Sequence, residues 1–177
     1  SLFRSIKKIS GVLVAVMILS LSALPVFAAT TIEVKHTTDI SVSEDNWWDR
    51  GVQYGRILVL NNQPEEENNV LLATHCELNS GLTENAPGYP IYRSTDNGKT
   101  WKVITRVTDT LTGANSEWNP TLFELSKPCG DYPAGTIILA ACSIDPEHNK
   151  ESHIRLYFSM DGGYTFDQGV VVASGGG

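Results

Sequence analysis

The chain has 177 residues, with 13 lysines and arginines against 20 aspartates and glutamates, for a formal charge of −7. That acidic balance repels polyanions at long range, which argues against nucleic acid and anionic lipid as partners and requires a local arginine for any anionic ligand. Cys76, Cys129, Cys142 and four scattered histidines show neither Cys-x-x-Cys nor His-x-x-x-His spacing, so no structural metal and no cofactor is expected.

The N-terminus carries Arg4, Lys7 and Lys8, then an apolar run over 11–24, then Pro25-Val26-Phe27-Ala28-Ala29. A basic end, an apolar middle and small residues at the close predict a secretory signal over 1–28, cut between Ala28 and Ala29. The apolar run is shorter than the ~18 residues that span hydrocarbon, so no stable membrane anchor is expected after cleavage. The expected mature chain, 29–177, is extracellular, and loss of three cations and no acid takes its charge from −7 to −10. Outside the cell three cysteines allow at most one internal disulfide, with the pairing open. Cys76 and Cys142 lie in strand-like runs and read as small buried hydrophobes.

Beyond the signal, short β-branched and apolar runs alternate with Asn, Gly, Pro, Asp and Ser clusters. They predict strands over 31–36, 56–60, 70–76, 91–94, 102–106, 121–125, 136–142, 154–159 and 169–173, and no helix. The polar stretch 61–69, with Glu65-Glu66-Glu67, reads as a solvated hairpin loop and not as an acidic binding site.

The sequence also repeats. Ser94-Thr95-Asp96-Asn97-Gly98-Lys99-Thr100-Trp101 and Ser159-Met160-Asp161-Gly162-Gly163-Tyr164-Thr165-Phe166 share the frame Ser-x-Asp-x-Gly-x-Thr-aromatic, 65 positions apart. Ile57-Leu58-Val59-Leu60 aligns with Leu122-Phe123-Glu124-Leu125 at 65, and Leu71-Leu72-Ala73 with Ile138-Leu139-Ala140 at 67. Matches in register at several places mark tandem units of several strands each. Within the frame, the glycines supply the positive φ of a tight hairpin. The Ser, Asp and Thr side chains satisfy turn amides, and Trp101 and Phe166 wedge against the next strand. Nothing in it serves as acid, base or nucleophile.

These residues resemble the Asp-box repeat of the sialidase-like superfamily. The resemblance implies an all-β fold, a partial β-propeller of about two four-stranded blades from a six-bladed ring, with each box joining a blade's third and fourth strands away from the active site. At ~65 residues per blade a full ring is more than twice this length, so a fragment is expected, whose open sheet edges favour association. Tyr54-Gly55-Arg56-Ile57-Leu58 resembles the Arg-Ile-Pro region of sialidases without its proline, which implies that Arg56 binds a substrate carboxylate or vicinal hydroxyls. The alternative is an arginine paired with a neighbouring acid.

Sialidases place a catalytic Asp between that arginine and the first box. This chain has none there. Glu77 and Glu84 stand in its place, Glu77 being the better candidate for a general acid. The run from Trp118-Asn119-Pro120 through Glu124-Leu125, with Pro133-Ala134-Gly135-Thr136, resembles exo-arabinanase-type members of the superfamily, which cleave neutral sugars with two carboxylates. Trp118, Trp47 and Trp48 could stack on sugar faces or pack between blades, and His75 reads as a satisfied core residue.

Two readings follow. The first is a secreted exo-acting glycoside hydrolase whose partner is a glycan or polysaccharide, with this chain alone lacking turnover for want of a complete catalytic set. The second is a non-catalytic propeller that binds glycans or proteins, since a fold does not fix a function.

Overall fold

A computed structural model of the protein describes residues 36–40, 52–77, 88–110, 115–144 and 152–175. The expected signal at 1–28 and nearly all of the expected first strand, 31–36, lie outside these residues. Among the described residues, eight strands form two four-stranded antiparallel sheets. The first runs in the order β1 (Val52–Val59), β2 (Leu71–Glu77), β3 (Tyr89–Ser94), β4 (Lys102–Val107). The second runs β5 (Asn115–Glu124), β6 (Ile137–Ile144), β7 (Ser152–Ser159), β8 (Val170–Gly175).

Each strand pairs with its sequence neighbour, the arrangement that short hairpin connections impose. The one helical element among the described residues is a 3-10 turn at Glu65–Glu67. Every predicted strand from 56–60 onward is present, but β1 and β5 begin earlier, at Val52 and Asn115. The reason is a kink that breaks the apolar pattern. Tyr54-Gly55 stands opposite His75 alone, since Gln53 pairs with Cys76 and Arg56 with Thr74. Asn119-Pro120 stands opposite Ala141 in the same way, with Trp118 paired to Cys142 and Thr121 to Ala140. Both are β-bulges whose first residue has positive φ, 56° at Tyr54 and 50° at Asn119.

The register also corrects the repeat. Leu71 pairs with Ser94 and Ile137 with Ser159, so second strands correspond at 66 positions, not 67. Cys76 and Cys142 thereby become equivalent. Neither these two nor Cys129 is in a disulfide, and Cys76 is buried.

The core lies between the sheets. Leu60, Leu72, Tyr89 and Ile91 of the first meet Leu122, Ile137, Leu139 and Tyr157 of the second in one buried cluster. Full burial of a leucine or isoleucine side chain stabilises by about 1.5–3 kcal/mol. β6 shows the matching pattern, with Ile137, Leu139, Ala141 and Ser143 buried and the residues between them half-buried. Burial is unequal between repeat equivalents: Leu122 is 8% and Glu124 7% exposed, against 62% for Ile57 and 42% for Val59.

Polar contacts join the sheets as well. The 61–69 segment is a hairpin loop as expected, yet it is not simply solvated. Glu124 accepts hydrogen bonds from the Asn61 amide at 2.8 Å, the Asn62 amide at 3.1 Å and Gln63 Nε2 at 2.8 Å, and Gln63 Nε2 also donates to the Gly135 carbonyl at 2.6 Å. Glu67 pairs with buried Arg93, which in turn donates to the Gly162 carbonyl at 3.4 Å and lies 5.1 Å from the Tyr164 ring centre. Tyr89 donates its phenol to the Cys142 carbonyl at 2.6 Å, and burial holds that phenol far above its ordinary pKa.

Candidate functional site

The two repeated loops fold alike. Ser94 Oγ donates to Asp96 Oδ1 at 2.8 Å and accepts from the Gly98 amide at 2.9 Å. Ser159 repeats both contacts, at 2.8 Å to Asp161 and 2.9 Å from Gly163. Thr100 and Thr165 each donate a hydroxyl to the aspartate at 2.6 Å and an amide at 2.9 Å. Asn97 and Gly98 have φ of 59° and 82°, and Gly162 and Gly163 of 76° and 95°.

Trp101 closes the first loop by donating to the Gly98 carbonyl at 3.0 Å, and Phe166 packs against the core. Hydrogen bonds from the Thr100 side chain and amide hold the Asp96 pKa down at about 2. Burial works against ionisation of Asp161, but the bonds from Thr165, Ser159 and Tyr164 outweigh it and lower its pKa too. Carboxylates so saturated as acceptors are poor acids or bases, and they shape turns. The loops join β3 to β4 and β7 to β8, at the sheet end where Leu71 meets Ser94 and Ile137 meets Ser159.

A cleft of about 440 Å³ opens at the other end of the first sheet, around the β1 bulge. Asp39, Gln53, Tyr54, Arg56, Thr74 and His75 are among its walls. Arg56 is exposed, and it donates to the Gly55 carbonyl at 3.0 Å. A guanidinium retains further N–H donors beyond one such bond, in a planar fork that suits carboxylates and vicinal hydroxyls. No acid pairs with Arg56 among the described residues. Thr74, paired in register with Arg56, is buried, and its hydroxyl has no hydrogen-bond partner among the described residues. An unsatisfied buried hydroxyl costs about 1–3 kcal/mol.

His75 has both ring nitrogens in contact, Nε2 with the Tyr92 hydroxyl at 3.1 Å and Nδ1 with the Cys76 carbonyl at 3.2 Å, the arrangement of a satisfied core histidine. Trp118, half-buried at the start of β5, has its ring centre 6.0 Å from that of Tyr54, tilted by 52°. Tyr54 thus lines the cleft with Arg56 and meets Trp118 of the neighbouring edge strand ring to ring. Glu77 ends β2, its backbone paired with Val52, and its side chain lies outside the described set, as do Trp47, Trp48 and Glu84.

Tyr54 and Thr74 were missed by sequence reasoning. Tyr54 had a signal, since it falls 65 positions before Asn119 and adjoins Arg56 across a glycine. Thr74 had none, because a threonine within an apolar strand looks like any other.

No protein-family model matches the chain, and no curated protein matches it. Solved structures do. The GH93 alpha-L-arabinofuranosidase of Fusarium graminearum, in complex with arabinobiose, is similar at a TM-score of 0.61 and 35% identity, over 71% of this chain and 32% of that one. The alpha-L-arabinanase of Penicillium chrysogenum complexed with arabinobiose is similar at 0.59 and 35%, over 71% and 33%. The chain therefore spans about a third of the length of the structures it matches. With two four-stranded antiparallel sheets, a repeated loop and a bulged edge strand in each, the described residues have an exo-arabinanase-type fold, a partial β-propeller.

Proposed function

We propose that this chain forms one side of the sugar site of a secreted, exo-acting glycosidase that acts on terminal neutral sugars, arabinofuranosyl units foremost. The observation that carries the reading is Arg56, exposed in a cleft just past the bulge of an edge strand, in a chain 35% identical over its matched part to an arabinofuranosidase holding arabinobiose. In this reading Arg56 binds sugar hydroxyls, and Trp118 stacks on a ring face. Trp48 adds a second stacking surface, and Glu77 is the candidate general acid. The two repeated loops are Asp-boxes and serve folding. Residues 1–28 direct export.

Glycoside hydrolysis needs an acid and a second carboxylate or other nucleophile across the scissile bond. Among the described walls of the cleft Asp39 is the one carboxylate. The chain by itself is therefore expected to bind arabinobiose without turnover. Saturation-transfer NMR with arabinobiose tests binding, and release of p-nitrophenol from the α-L-arabinofuranoside tests turnover. Binding that Arg56→Gln weakens, with no release, supports the proposal. Absence of binding by the unaltered chain would overturn the sugar reading, and measurable release would overturn the division of the site.

The same cleft serves the second reading, a non-catalytic propeller that binds glycans. Its distinguishing sign is binding unchanged by Glu77→Gln in a full-length product that also lacks hydrolysis.

A further inference from the structure

We infer that Tyr54 is a ligand-contact residue, whose ring stands with that of Trp118 as an aromatic wall for the C–H face of a sugar beside Arg56. This deepens the proposed reading and rests on it.

The argument begins with backbone conformation. Tyr54 and Asn119 occupy the same place in the same bulge of successive blades, and both have left-handed backbone, φ 56° and 50°. Asparagine takes that conformation readily, because its short amide tolerates the closer approach of the backbone, whereas a bulky side chain there is an outlier. The bulge itself therefore has no need of an aromatic ring; the second blade builds it with asparagine. Tyrosine at the first position is a local cost to folding, of the kind that concentrates at functional sites.

The surroundings of the ring indicate its use. Tyr54 is 36% exposed and lines the cleft with Arg56, and so does not sit sealed in the core. Its one aromatic neighbour among the described residues is Trp118, at 6.0 Å and 52°. Two tilted rings make a wall and a floor, apolar at the faces and polar at the tyrosine hydroxyl. Arg56, in the same cleft, supplies directional hydrogen bonds. That combination suits a neutral sugar, which has an apolar C–H face and a hydroxyl rim.

Tyr54→Asn and Tyr54→Phe in the 177-residue chain test this, with arabinobiose as probe. Binding is read by saturation-transfer NMR titration and stability by thermal unfolding. Tyr54→Asn is expected to keep or raise the melting temperature, because it relieves the backbone, and to weaken binding roughly tenfold. Tyr54→Phe, which keeps the ring, is expected to stay within about threefold of the unaltered chain.

A melting temperature lowered by Tyr54→Asn would make the ring a packing element and overturn the inference. So would binding unchanged by Tyr54→Asn, or Tyr54→Phe weakening it as strongly as Tyr54→Asn. If the unaltered chain fails to bind arabinobiose, the sugar reading itself fails, a result distinct from any of these.

Discussion

Glu124, on the second sheet, accepts the amide hydrogen of Asn61, on the first, at 2.8 Å, and its carboxylate takes further bonds from Asn62 and Gln63. A buried carboxylate is tolerated only when it is saturated with donors, and here the donors belong to the neighbouring blade. Its repeat equivalent, Val59, has no such role.

Glu124→Ala is expected to destabilise the chain by about 2–3 kcal/mol, since it strands several donors at a charged-acceptor site. Burial raises the Glu124 pKa, but the bonds from Gln63, Asn61 and Asn62 outweigh it, leaving it below the ordinary glutamate value. A group depressed in the folded state contributes stability that is complete above its unfolded pKa and is lost as pH falls through the folded one. Urea unfolding across acid pH should therefore show a fall in stability below the ordinary glutamate range that is smaller in Glu124→Gln. Equal pH dependence in both proteins would mean that the carboxylate is not ionised in the contact.

The repeated loops allow a paired experiment. Ser94 and Ser159 are buried, and each is the acceptor for a buried glycine amide, at 2.9 Å in both loops. Ser94→Ala and Ser159→Ala should each cost about 1–2 kcal/mol by leaving that amide unsatisfied. Separate loops with no shared partner should give additive losses within about 0.5 kcal/mol in the double variant, read from denaturant midpoints. Because Asp96 titrates at about 2, its contribution holds above the ordinary aspartate value and fades only as pH falls toward 2. Carboxyl chemical shifts followed by NMR check that value directly.

Asp109 and Arg155 form a buried ion pair at 3.2 Å, and Arg155 Nη1 also donates to the Gln168 carbonyl at 3.0 Å. Gln168 then donates to the Thr108 carbonyl at 3.1 Å and accepts from the Thr110 amide at 2.8 Å, so the segment after β4 is fastened to the second sheet at several points. Removing one partner of a buried pair leaves an uncompensated charge, and Asp109→Ala is expected to cost about 3–5 kcal/mol. Replacing both, in Asp109→Leu with Arg155→Met, should recover much of that loss in calorimetric stability. A double variant as unstable as the single one would assign the loss to shape and not to charge.

Much of this architecture is legible in the residues. The Ser-x-Asp-x-Gly-x-Thr frame located both third-to-fourth-strand hairpins, because the turn is built by local hydrogen bonds whose donors and acceptors lie within a few positions of each other. The strand runs from Arg56 onward were equally plain, as alternation and β-branching are local too. What escaped was non-periodic. The bulges hid the first residues of β1 and β5, since an extra residue reverses the alternation on which strand reading depends. The second-strand offset of 66 is set by the length of the loops that follow β1 and β5, which carries no periodic signal. Glu124 was visible in its strand, but its partners are about sixty residues away and no spacing rule announces them. Of the cleft, Arg56 is legible from its motif, whereas the Tyr54 ring is marked out by its backbone conformation, which no sequence pattern shows.

Ile57 and Leu122 descend from one slot of the repeat, yet water reaches most of one and almost none of the other. Mutability should part company accordingly. Position 122 will accept little besides another aliphatic group of similar volume, while position 57 should take serine, threonine or lysine with small loss, and lysine there would also discourage edge-to-edge adhesion of the first sheet. Kinship between repeats is thus a poor guide to which substitutions a chain will bear.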